Sequence, residues 1–261
     1  MTSPLLFTVE NKIATLTLNR PERRNAFNEE MLALWTAALV DCRQRDDVNV
    51  IVLTGAGKAF CSGGDIKDMI DRLEGGAPAQ KGFLDEVHEV AKAMERLDKP
   101  VICAINGAAT GAGLDMALMC DLRFCSDQAR LASTYAKVGL VPGDGGAFFL
   151  PRLIGLAKAL ELLWTGEWVS PEEAERMGLV NHSVPHDKLM PTVYEFARKL
   201  AEGPSVALRL IKRATYEGLR SDLTTHLDMM SSHYAVAAGT EDHKAAIASF
   251  VNKKQPVFRG K

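Results

Sequence analysis

The chain has 261 residues, with 31 basic and 33 acidic side chains, a formal net charge of −2, 47% apolar and 25% charged residues. This is the composition of a globular protein; it lacks the basic excess of a generic nucleic-acid binder. No apolar run approaches the ~20 residues of a membrane span. The opening MTSPLLFTVE has no basic segment followed by an apolar stretch, and the five cysteines form no CxxC pair. A cytoplasmic protein with free thiols and no signal peptide is therefore expected.

In chain order, two short apolar runs within residues 5–19, split by Asn11 and Lys12, predict a β-hairpin. Residues 21–25 (PERRN) form a basic loop. Met31, Leu32, Trp35, Ala38, Leu39 and Cys42 recur at helical spacing over residues 28–45, with Asn28 as N-cap. Residues 50–53 read as a buried strand, residues 74–80 as a mobile Gly/Pro-containing loop, and residues 82–97 as a helix. Strands follow at 101–105 and 122–125, with a helix over 111–119 between them. Strands alternating with helices argue for an α/β core with much parallel pairing. Strands end by about residue 190, and residues 191–250 read as helices interrupted at Gly203-Pro204 and Gly218.

Several familiar motifs fail. Gly55 and Gly57 follow a strand, but Phe60 stands where a dinucleotide fingerprint needs its third glycine. There is no Walker sequence, and Pro185 between His182 and His186 breaks a zinc helix. No metal and no prosthetic group are expected.

Two glycine-containing segments each follow a predicted strand: residues 59–69 (AFCSGGDIKDM) and 106–116 (NGAATGAGLDM). Small residues there leave backbone N–H groups uncovered, and a helix opening nearby aims its positive end at the same place. Two such donors converging on one carbonyl oxygen would make an oxyanion hole; tight turns alone would use the same glycines.

Together with LNRP at 18–21, NAFN at 25–28, Cys120-Asp121, GLVPG at 139–143, LPRLIG at 150–155, Thr165-Gly166 and AERMGLVN at 174–181, these segments make the chain resemble the enoyl-CoA hydratase/isomerase (crotonase) superfamily over nearly its whole length. The resemblance implies a crotonase-like spiral of ββα turns over residues 1–195 and a helical trimerisation region over 196–261. Assembly would be a homotrimer or a dimer of trimers. It further implies an acyl-CoA substrate, with coenzyme A entering only as part of the thioester. The oxyanion donors would be the amides of Gly64 and Ala112. Coenzyme A contacts would fall on Arg24, Ala26, Ala59, Ser62, Asp65 and Ile66, with Phe250 and Lys253 reaching it from a neighbouring subunit. The last eleven residues carry +4 with no acid, which suits phosphate.

The pattern breaks at the catalytic acids. Hydratases of this family place two glutamates over the double bond; here those positions hold Asp115 and Tyr135. Asp115 lies three residues after Ala112, on one helix face with it. Tyr135, with a reference pKa of ~10, is a poor base but a good hydrogen-bond donor. Asp144, in PGDGG, is a third candidate, yet isomerases and dehalogenases of the family carry their acid at the position of Gly143. A helix opening at Asp144 would stabilise its anion and weaken it as an acid.

The reading that follows is a hydratase-type reaction through an oxyanion-stabilised enolate. The alternatives are isomerisation, decarboxylation or thioester hydrolysis on the same frame, or a catalytically impaired CoA-binding member. Residues 83–99 carry a net charge of −2, which argues against RNA binding of the kind seen in one branch of the superfamily. Met69, Ile70, Leu73 and Phe83 suggest an apolar acyl group.

Overall fold

The computed structural model describes residues 3–261. Strands β1 (Leu5–Glu10) and β2 (Ile13–Leu18) form the expected antiparallel hairpin. Asn11 and Lys12 take left-handed φ values of 51° and 63°, the two-residue turn whose twist matches its flanking strands. Helix α1 (Glu29–Gln44) is capped as expected: the Asn28 side chain accepts the Met31 N–H at 3.1 Å.

Three strand–strand–helix turns follow. The first has β3 (Val50–Gly55), β4 (Ala59–Cys61), α2 (Ile66–Glu74) and α3 (Gly76–Glu95). The second has β5 (Val101–Ile105), β6 (Ala108–Thr110) and α4 (Ala112–Leu118). The third has β7 (Leu122–Ser126), β8 (Leu131–Ala132), a 3₁₀ turn at Tyr135–Val138, α5 (Gly146–Ile154), α6 (Leu156–Thr165) and α7 (Pro171–Arg176). The first strand of each turn joins a six-stranded sheet of order β1-β2-β3-β5-β7-β9, closed by β9 (His182–Val184), and the second joins a three-stranded sheet of order β4-β6-β8. From β2 onward all pairs are parallel.

The two faces of the large sheet fill separate cores. Ile51, Leu53, Cys103 and Ile105 pack toward α1, α3 and α4, around the fully buried Trp35. Their neighbours Val50, Val52, Ile102 and Ala104 face the other way, against Val193, Ala197 and Ala201 of α8 (Leu189–Ala201). This alternation is the period-2 signature of a strand, with both faces covered as parallel sheets require. Helices α9 (Ser205–Gly218), α10 (Leu223–Ala238) and α11 (Glu241–Val251) complete the chain.

Two features differ from the sequence reading. Residues 74–80 are not a loop: α2 ends at Glu74 and α3 begins at Gly76, which turns the chain with a φ of 63°. Pro78 sits in the first helical turn, where its missing N–H costs nothing. Strands β4, β6 and β8 are too short to show any period, and they are made by pairing alone. Two buried asparagines fix the corner between the sheets. Asn25 donates to the carbonyls of Ala56 (2.9 Å) and Ala59 (2.8 Å). Asn106 accepts the Gly55 N–H at 3.1 Å and donates to the Gly57 carbonyl at 3.0 Å.

Candidate active site

The small sheet brings the two glycine-containing segments side by side, because β4 pairs with β6 and α4 starts directly after β6. Helix α4 lies so close to β4 that a Cβ on Gly113 would overlap the Cys61 carbonyl. A Cβ on Gly63 would lie 3.5 Å from the Ala112 nitrogen.

The direction of each amide follows from its pairing. Phe27 donates to the Gly63 carbonyl at 2.9 Å and accepts from the Asp65 N–H at 3.1 Å, so in this parallel bridge the Gly64 N–H points away from Phe27. Ala112 is the first residue of α4, where an N–H has no partner inside the helix. Neither amide donates to a protein acceptor among the described residues. The sequence thus places two free donors on adjacent backbone segments, at the positive end of a helix.

Asp115 projects from α4 and is fully buried. Its Oδ2 accepts the Gly146 N–H at 2.9 Å and lies 2.8 Å from the Tyr135 hydroxyl. The same hydroxyl lies 2.6 Å from Oδ2 of Asp144. The three candidate acids, far apart in sequence, therefore meet in one chain of contacts. A phenol has one proton to donate, so two contacts of this length need a second proton, carried by one of the carboxyls. Burial raises the Asp115 carboxyl to about 7, the Asp144 charge adding to the effect and the Tyr135 and Gly146 hydrogen bonds opposing it. Burial also raises Asp144, against the Tyr135 hydrogen bond. Tyr135 is pushed far above its usual value, first by burial and then by the two carboxylates, so it stays neutral. The Oδ1 atoms of Asp115 and Asp144 are both buried without a hydrogen-bond partner. Buried polar atoms of this kind mark places that a water or substrate atom would fill.

Asp144 corrects one expectation. Helix α5 does open beside it, but Gly145 occupies the N-cap position and the Gly146 amide goes to Asp115. Asp144 is thus not an N-cap, and its carboxyl is raised by burial instead of lowered by the helix.

The basic loop wraps the same corner. Ser62 donates its N–H to the Arg24 carbonyl at 3.1 Å, and Arg20 donates to the Ala26 carbonyl at 2.6 Å and to Asp65 at 2.9 Å. Arg24, Ala26, Ser62, Asp65 and Ile66 therefore cluster beside Gly64, with Ala59 at the start of β4 held by Asn25. Burial opposes ionisation of Asp65, but the Lys67 N–H and Arg20 outweigh it and hold the carboxyl below its usual value. Ile66, Ile70 and Leu73 leave an apolar face of α2 exposed. Phe250 and Lys253 do not join this cluster within one chain. Phe250 is 85% exposed at the end of α11, and no hydrogen bond among the described residues ties that helix to residues 20–27. The basic tail folds back on its own helix, where Asp242 accepts the Arg259 and Gly260 amides at 2.6 and 2.9 Å.

Sequence reasoning missed two residues at the site. His88 of α3 reaches the Gly143 carbonyl at 2.8 Å, and Leu84 lies against Gly143, where a Cβ would come within 3.0 Å of it. Their spacing of four places both on one face of α3, but nothing local identifies a partner 55 residues away. A cavity of about 650 Å³ lies behind this loop, between α3, α5 and α9, and none of Asp115, Tyr135 and Asp144 lines it.

Comparison with known proteins gives the family of the chain. The family model described as enoyl-CoA hydratase/isomerase matches residues 8–261. The chain is 36% identical over 258 residues to 1,2-epoxyphenylacetyl-CoA isomerase of Escherichia coli (strain K12), covering 98% of each chain. It is 36% identical over 249 residues to short-chain-enoyl-CoA hydratase of Clostridium acetobutylicum, covering 94% of each. The crystal structure of enoyl-CoA hydratase from Bacillus anthracis superimposes with a TM-score of 0.94 at 33% identity, covering 99% of this chain and 100% of that one. These agreements in sequence and in the crotonase fold, running the length of the chain, make it a member of the enoyl-CoA hydratase/isomerase family.

Proposed function

We propose that the protein adds water to, or removes it from, the double bond beside an acyl-CoA thioester. The amides of Gly64 and Ala112 hold the thioester oxygen as it gains negative charge in the enolate, where each donor is worth ~10²–10³ in rate. One carboxyl of the Asp115–Asp144 pair, ionised, takes a proton from water as its oxygen bonds to the β-carbon. The other, protonated, delivers a proton to the α-carbon. Tyr135 then accepts a proton on one side and donates its own on the other, which returns the pair to its starting state without forming a phenolate.

The observation that carries this reading is the pair of buried carboxyls on one neutral hydroxyl. Two acids sharing one proton supply a general acid and a general base together near neutral pH. The pair supplies the second carboxyl that Tyr135 lacks.

Coenzyme A enters as part of the substrate, beside Arg24, Ala26, Ala59, Ser62, Asp65 and Ile66, and no prosthetic group takes part. Residues 196–261 serve assembly as a homotrimer or dimer of trimers, which brings Phe250 and Lys253 to a neighbouring site. The exposed Leu219, Leu223, Leu227 and Tyr234 support that role. No helix among the described residues is long and apolar enough to cross a membrane. Five buried free thiols support a reducing, cytoplasmic setting.

The test is turnover of short-chain and aromatic enoyl-CoAs, followed by loss of the conjugated thioester absorbance and by product mass in deuterated water. Hydration adds one water and fixes one solvent deuteron at the α-carbon; failure with every enoyl-CoA overturns the reading. Double-bond isomerisation is the second reading, since carboxyls beside an enolate site suffice for a proton shuttle, and would appear as α-proton exchange with no gain of water.

A further inference from the structure

We propose that His88 is a positioning residue, whose hydrogen bond to the Gly143 carbonyl holds Asp144 against Tyr135; the inference rests on the role given to Asp144 above. A carbonyl oxygen only accepts, so His88 Nε2 carries the hydrogen in this 2.8 Å contact. The segment it holds is intrinsically loose. Glycines stand at 143, 145 and 146, and Gly145 takes a φ of 108° that few other residues adopt. Val141 is 78% exposed, so the loop gains little from burial at its outer end.

The loop leaves the 3₁₀ turn with the Leu140 N–H on the Tyr135 carbonyl at 3.0 Å, and enters α5 with the Gly146 amide on Asp115. Between those points, apart from the Phe148 and Phe149 amides that α5 itself sends back to the Gly145 carbonyl, the His88 bond is the one hydrogen bond that another element makes to the loop backbone among the described residues. Leu84, one helical turn earlier on α3, closes the other side of Gly143. A side chain at 143 would press on Leu84. The grip therefore favours a small residue there, since the tip of Leu84 would have to shift by a few tenths of an ångström to admit a larger one.

The ionisable groups around Asp144 are Tyr135 from the 3₁₀ turn, Asp115 from α4, His88 from α3 and Cys61 from β4. Cys61 is buried and its thiol pushed up to about 12, so it stays neutral. Positive charge on His88 lowers the Asp144 pKa. A tether and a charge thus predict opposite results. Loss of a charge would raise the Asp144 titration. Loss of a tether would free the carboxyl into water and drop it to the ordinary value of ~4.

The experiment compares His88→Leu, which cannot donate, with His88→Gln, whose amide can. Asp144 is titrated by carbon NMR of aspartate-labelled protein and assigned with Asp144→Asn; kcat and KM are measured on variants with retained thermal midpoints. We expect His88→Leu to bring Asp144 down to the ordinary carboxylate range and to lower kcat at least ~10-fold with KM within ~2-fold, since ~1 Å of misplacement costs up to ~10²-fold. His88→Gln should keep both near wild type. An unchanged or raised Asp144 titration in His88→Leu overturns the proposal, as does a glutamine variant as impaired as the leucine one. The NMR arm needs no turnover, so it stands or falls even where every enoyl-CoA fails as substrate.

Discussion

The amide of Gly146, first residue of α5, donates to Oδ2 of Asp115 at 2.9 Å across 31 positions of sequence. The contact is so close that a Cβ on Gly146 would collide with the carboxyl. It leaves Oδ1 as the open oxygen. Asp115→Asn keeps the shape and an acceptor for the amide but cannot exchange a proton. Turnover should fall by ~10²–10⁴, while calorimetry with an unreactive acyl-CoA should give a dissociation constant within a few-fold of wild type. Retained turnover would remove Asp115 from the chemistry.

Stability should decline with rising pH. Asp115 and Asp144 are both raised above their unfolded values, so the native state binds more protons above about pH 4, and for Asp115 up to about pH 7. The stabilisation is complete below the unfolded pKa and is lost as the pH climbs through about 7, with a slope on the order of 1 kcal/mol per pH unit. Urea unfolding at pH 5 and pH 8 measures this, and Asp115→Asn should flatten the difference. Activity should also fall above about pH 7, as the pair loses its retained proton.

Tyr135→Phe removes the oxygen through which the carboxyls meet. Stability should drop by about 1–3 kcal/mol from the lost hydrogen bonding. The loss should grow with rising pH, because the Tyr135 hydrogen bond favours the ionised form of both carboxyls and the variant lacks it. Turnover should fall by ~10². A variant as active as wild type would show that the proton need not pass through residue 135.

Ala112→Pro tests the oxyanion donor. Proline is accepted at the first position of a helix, so α4 survives while the N–H disappears. We expect kcat to fall by ~10²–10³ with an unchanged circular dichroism spectrum. Ala112→Gly, which keeps the N–H, should remain active; equal losses in both would place the effect in packing instead.

Some of this was legible from the sequence because it is local. The Asn28 cap lies three residues from the Met31 amide it accepts, and the unbroken apolar run Val50–Leu53 marks a strand buried on both faces. Strands β4, β6 and β8 were not legible, since two or three residues carry no period. Pro78 and Gly76 resembled a loop because the same residue types open helices. The candidate acids Asp115, Tyr135 and Asp144 were each visible, but their union was not: it depends on where the second and third turns of the spiral come together. Asp144 was assigned the wrong electrostatic neighbour for the same reason. The helix dipole beside it is spent on Asp115, a residue from another turn.

The division of strands between a six-stranded and a three-stranded sheet has a consequence for descent. The broad sheet fixes register and rigidity, while the narrow one carries loops whose tips crowd together at a single rim. An acid lost from one tip can then be restored from the next by a point change that leaves the frame untouched. Reactivity in such a molecule can migrate between loops faster than its architecture can drift.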